Sequence, residues 1–161
     1  MGSPVCSKKL KSDFVAKTIK TSAETWDNYT SKEIFNNNYI LASNLNYSSY
    51  DGINSIMFGN MDNQNIIAET TYWFSKRTKQ IYEADIMFNE YFNWGDATTD
   101  SSLMDLQNIA THELGHVVGL NDLYTSTCGD VTMFGYSRNG ETKKRTLENP
   151  DIQGLQKIYG I

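Results

Sequence analysis

The chain contains two histidines, and both lie in one stretch, His112-Glu113-Leu114-Gly115-His116-Val117-Val118-Gly119-Leu120-Asn121-Asp122. On a helix, residues four apart sit one turn above each other on the same face, so both imidazoles aim at one point. Two neutral imidazoles and one carboxylate suit a zinc ion and leave a fourth position for water. Glu113, next to the first ligand, can reach that water as general base. A helix running straight on would carry position 122 away by about 1.5 Å per residue. Gly119 permits a sharp turn there, and a reversed chain brings Asp122 back as third ligand. His-Glu-x-x-His alone also arises by chance on surface helices and needs a confirming context. Here the helical pattern, the glycine stop, the third carboxylate and a later methionine, Met133, agree.

The surrounding sequence predicts where this stretch sits. Ser12 suits an N-cap, and Val15, Ile19, Ala23 and Trp26 keep helical spacing to about Thr30. Residues 53–59, 66–74 and 81–88 are short apolar or β-branched runs that read as strands, with a charged turn over 75–80. A second helix is expected from Asp100 to Ser102, with Ser102 and Asp105 as a capping box, running to Gly119. A third has Asn149 as cap, Pro150 at its first position and Ile152, Leu155 and Ile158 on its inner face, and stops at Gly160. A helix, several strands and two more helices give an α+β arrangement in one domain over 1–161. The stretch from Asn121 to about Leu147 has no element of its own, and so long a connection is usually functional.

Composition narrows the partners. Net charge is −5, with no block of Lys and Arg, which argues against nucleic acid or an anionic membrane surface as partner and leaves a peptide open. No apolar run approaches the roughly 20 residues that span a bilayer. Residues 1–3 read as a cloning scar, and residues 6–11 are too polar for an export signal, which is expected upstream of this sequence. Cys6 and Cys128 could form a disulfide, as suits a secreted protein, or be two unrelated thiols.

The metal stretch resembles the metzincin metalloendopeptidases, and within them the matrixin branch. Residues 85–88 are similar to the strand before that family's active-site helix, and residues 151–160 to its C-terminal helix. The resemblance implies a twisted mixed sheet of about four to five strands with three helices. It also implies a secreted, monomeric endopeptidase with one catalytic zinc, acting on peptides or proteins. Met133 would be the buried methionine of a turn beneath the metal. Residues 66–72 would be an edge strand along which an extended substrate adds, with Ala68, Glu69 and Thr70 in contact with it. Tyr136 would line the pocket beside the metal or merely pack.

The chain also departs from the pattern. Asp122 stands where many metzincins have His. The second, structural zinc of many matrixins needs further histidines, and its absence is expected. Asp96, Asp100 and Asp130 could offer oxygen to calcium, but scattered loop carboxylates do not support a site. Residues 4–11 make a poor strand, so the strand that usually precedes the first helix is expected to be short or missing. Cys6 does not match the family's propeptide-cysteine motif. A rival reading is a metal-stabilised peptide-binding module without useful turnover, and a second is a hydrolase of non-peptide amides. Glu113 separates the first rival, because a structural site fills four ligand positions and needs no base.

Overall fold

A computed structural model describes residues 10–36 and 38–161. Helix α1 covers Ser12–Asp27, with Lys11 at the N-cap and Ser12 already helical. The cap expected at Ser12 is therefore displaced by one residue. Trp26, fully buried, locks α1 onto the later helix that carries both histidines by donating its indole N–H to the Thr111 carbonyl at 2.8 Å. Past the helix end, the Asp27 carboxylate accepts the Ile34 and Phe35 amides at 2.9 and 3.3 Å and turns the chain.

Three strands follow, β1 (Ile56–Gly59), β2 (Ala68–Phe74) and β3 (Ile81–Asn89). They form one sheet in the order β1-β3-β2, with β1 parallel and β2 antiparallel to β3. The period of two decides the faces of β3. Ala84, Ile86 and Phe88 belong to the core, while Glu83 and Asp85, also buried, point to the other face. There Glu83 accepts the Asp51 and Gly52 amides, and Asp85 accepts the amide and hydroxyl of Ser55. Buried carboxylates thus take up the polar groups of the turn leading into β1. Strand β2 is an edge: among the described residues β3 is its one strand neighbour.

Among the described residues the five strands do not share one sheet. Strands β4 (Trp94–Gly95) and β5 (Met104–Asp105) form a separate parallel pair. Trp94 turns inward to meet Phe88 edge-on at 5.2 Å and donates its indole N–H to the Asn89 carbonyl. That contact takes the chain off the line of β3 and into the core.

Helix α2 covers Leu106–Val117, starting later than the expected Ser102. Asp105 is the cap: it accepts the Asn108 amide at 2.8 Å and also holds Arg145. The Ser102 hydroxyl is instead bonded to Asp100. Helix α3 covers Asn149–Tyr159, capped by Glu148 rather than Asn149, in a reciprocal box with Asp151. Leu155 is buried, but Ile158, expected on the inner face, is exposed near the helix end. No helix among the described residues is long and apolar enough to cross a membrane. Cys128 is half-buried; its pairing with Cys6, and the expected weak strand before α1, lie outside the described residues.

Candidate metal centre

Helix α2 aims both imidazoles at Asp122. His112 Nε2 lies 3.1 Å and His116 Nε2 3.6 Å from Asp122 Oδ1. Helical spacing places the two rings on one face, and Gly119, at φ 95°, reverses the chain after them. Only glycine adopts such a φ without strain. The ligand atoms of His112, His116 and Asp122 all lie within 4.8 Å of one another.

His112 Nδ1 meets the Thr132 carbonyl at 2.8 Å, and His116 Nδ1 meets the Leu120 carbonyl at 2.9 Å. A carbonyl only accepts, so each Nδ1 carries the ring proton and each Nε2 of a neutral ring presents a lone pair. Two lone pairs and a carboxylate oxygen then converge with no proton to share, and Asp122 Oδ1 is buried without a hydrogen bond. Such a set calls for a cation, and its two nitrogens and one oxygen fit zinc with an open position.

Asp122 is also tuned from the side. Tyr124 donates its hydroxyl to Asp122 Oδ2 at 2.9 Å. Burial pushes the Asp122 carboxyl up, but the bond that His112 gives it once the rings carry protons on Nε2, the Tyr124 hydroxyl and the positive charge of such rings outweigh it and draw it down to about 2. The bond to Asp122 in turn raises the Tyr124 hydroxyl. The Tyr124 ring lies against Gly135, where any Cβ would collide with it, and meets the Tyr136 ring edge-on at 5.4 Å. Tyr136 is itself 63% exposed. Its ring packs against those of Tyr124 and Phe134.

Glu113, 4% exposed, is held from β2. Thr70 donates its hydroxyl to Glu113 Oε2 at 2.6 Å. Of the three β2 residues expected to meet substrate, Thr70 thus has its side chain committed to Glu113, and Ala68 packs against the core. Glu69 points to the opposite face of the sheet, where the Tyr47 hydroxyl donates to it at 2.8 Å. What the edge leaves for a partner is backbone.

Met133, 2% exposed, lies under α2 with its sulfur against Gly115, and Trp26 closes on the same glycine. The turn is fixed from α3: Asp151 accepts the Thr132 and Met133 amides at 2.9 and 3.1 Å. One buried carboxylate thereby positions the carbonyl that orients His112. Asp96 is paired with Arg145, Asp100 with the amide and hydroxyl of Ser102, and Asp130 with Lys143. Each of these loop carboxylates serves a protein partner.

A sequence profile of the matrixin peptidase family matches residues 5–160. The chain belongs to the matrixin family. As a matrixin it is similar to metalloendoproteinase 5-MMP of Arabidopsis thaliana, 37% identical over 60 residues that are 37% of this chain and 16% of that protein. It is similar to metalloendoproteinase 1 of Glycine max, 37% identical over 42% of this chain and 21% of that protein. Human matrilysin is 35% identical over 47% of this chain and 27% of its own length. The matched stretches thus span between about a sixth and about a quarter of these relatives.

Proposed function

We propose that this protein is a zinc-dependent endopeptidase that cleaves internal peptide bonds, with His112, His116 and Asp122 holding the metal and Glu113 moving the proton. The observation that carries the reading is the convergence of two Nε2 lone pairs on an unpartnered carboxylate oxygen, beside a buried glutamate that is not one of the three ligands. A zinc ion bound there supplies the positive charge that acidifies water and polarises a scissile carbonyl.

The chain's own residues do the rest. Glu113 takes the proton of the attacking water and passes it to the departing amine nitrogen, so the acid and base steps use one carboxylate in turn. The Thr70 hydroxyl keeps one Glu113 oxygen occupied and leaves the other for the proton. The substrate lies extended along β2, whose free edge offers main-chain donors and acceptors to a peptide of any sequence. This fits peptide or protein substrates and gives a hydrolase of small amides no use for the edge. The catalytic unit is one domain, acting as a monomer outside the cell.

The rival, a metal-stabilised binding module, has no need of a buried base. Digestion of a mixed peptide library, with new termini read by mass spectrometry, tests the reading. Internal cuts are expected from zinc-loaded protein and none after chelation. Peptide binding without any cuts by zinc-loaded protein would establish the rival instead.

A further inference from the structure

The turn between β2 and β3 carries Lys76, Arg77 and Lys79, all exposed. Ser75 closes it. Its amide donates to the Gln80 carbonyl at 2.9 Å, its carbonyl accepts the Lys79 amide at 2.8 Å, and its hydroxyl accepts the Thr78 amide at 3.1 Å. Lys79 stands at φ 63°, a left-handed backbone that few residues other than Gly, Asn and Asp adopt. From there its ammonium lies 5.8 Å from the centre of the Phe74 ring, itself 43% exposed. Among the described residues none of these three cations is in an ion pair, whereas Lys143 and Arg145 are. Glu83, across the ladder from Trp73, is buried and already accepts the Asp51 and Gly52 amides. In a chain of net charge −5, three unpaired cations on one closed turn make a local site for an anion.

Position says which anion. Strand β2 ends in this turn, and its free edge is the one that takes the substrate in the reading above. Thr70, bonded to Glu113, marks the level of the cleaved bond. Phe74 closes the strand, about 13 Å further on at the rise of an extended chain. A peptide lying on that edge therefore brings the residue about four from the cut beside Phe74, and the next ones beside the turn. The opposite end of β2 offers no such charge, since residues 60–67 hold Asp62 and no Lys or Arg. The edge is basic at one end only. A peptide already held by its backbone needs one or two carboxylates to use that charge. A sulfated glycan or an anionic bilayer would bring its whole charge against a chain that is acidic overall.

We infer that Lys76, Arg77 and Lys79 form a subsite for Asp or Glu side chains of the substrate, about four to six residues from the cleaved bond and on one side of it. The inference rests on the endopeptidase reading and names its substrate class: peptides with an acidic flank.

The test has two arms. In the first, zinc-loaded wild type cleaves matched peptides that carry Glu, Ala or Lys at those distances, on either side of the cut. Glu on one side should raise kcat/KM over Ala by about threefold to tenfold, what one or two exposed ion pairs supply. The gain should lie in KM, because the contact is the same before and during bond cleavage. It should fade in about 1 M salt, where charges are screened within about 3 Å. The double variant Lys76→Glu/Arg77→Glu should invert the preference, favouring the Lys peptide. In the second arm, zinc-loaded Glu113→Ala binds the same peptides uncleaved, followed by calorimetry. The Glu peptide should bind tighter by the same factor, a readout independent of turnover. Equal kcat/KM for Glu and Ala peptides overturns the inference and leaves the endopeptidase reading standing. So does a Glu preference that is equal on both sides, or one that the charge reversal leaves unchanged. Binding of a sulfated glycan without any Glu preference overturns it in favour of a polysaccharide partner. A wild type that cuts nothing removes the endopeptidase reading and the inference with it.

Discussion

The Thr70 hydroxyl, 2.6 Å from Glu113 Oε2, is the contact from the sheet that orients the base. Thr70→Val keeps the shape and removes the donor. The expected result is a fall of about tenfold in kcat, with zinc stoichiometry unchanged, the size typical of lost outer-shell partners. A kcat that stays within twofold of wild type would take this role from Thr70. Asp122 gives a pH prediction for the metal-free protein. Its carboxyl is held at about 2 when folded, against 3.8 ordinarily. Between those values the unfolded chain binds more protons, so stability rises with pH across that window. The contribution of Asp122 is thus complete above about pH 4 and lost as pH falls from 3.8 toward 2. Chemical unfolding of wild type and Asp122→Asn should show a gap that closes over that range. A gap that persists unchanged in stronger acid contradicts the assignment. Asp122 was legible in the sequence because it follows the glycine stop. Tyr124 and Thr70 were not legible in these roles, because a hydroxyl's partner is set by tertiary approach rather than by spacing.

At the scale of elements, α2 is held from below by the turn at Met133 and from the side by Trp26 of α1. A Cβ on Gly115 would strike the Met133 sulfur and come within 2.8 Å of Trp26 Cζ2. Alanine gains up to about 1 kcal/mol over glycine in helix propensity, but overpacking a filled core costs about 1–3 kcal/mol. Gly115→Ala should therefore lower stability in urea unfolding, and a stabilised variant would show that the packing yields. Asp151 reaches the same centre from α3 through the Thr132 and Met133 amides. Asp151→Asn replaces one acceptor by a donor facing an N–H. It should cost about 2 kcal/mol and weaken zinc binding about tenfold through the Thr132 carbonyl. Unchanged zinc affinity in a metal titration would separate the turn from the site. The three helices and the three main strands were readable from periodicity. Their caps were not, since Asp105 and Glu148 win those positions through Arg145 and Asp151. The separation of β4 and β5 from the sheet follows from Trp94 turning into the core, which no local pattern announces.

At the scale of the whole molecule, the proposed metal ligands and Glu113 come from one short segment, but what orients them is spread over the chain. β2 supplies Thr70, the stretch between α2 and α3 supplies Tyr124 and Thr132, and α3 supplies Asp151. Zinc binding should therefore stabilise the entire fold, with thermal unfolding shifting upward on metal addition and back on chelation. The central claim is that one zinc ion at His112, His116 and Asp122 and one base at Glu113 together make the protein a peptidase. Its most direct test is to titrate metal-free protein with zinc while recording bound metal and peptide cleavage in the same sample. The prediction is that cleavage rises in proportion to bound zinc and levels off at about one equivalent, the stoichiometry of a single catalytic site. Glu113→Gln should bind the same equivalent and cleave about a hundredfold to ten-thousandfold more slowly, the range of a lost general base. Equal cleavage by Glu113→Gln, or saturation of the site with no cleavage by wild type, would contradict the account.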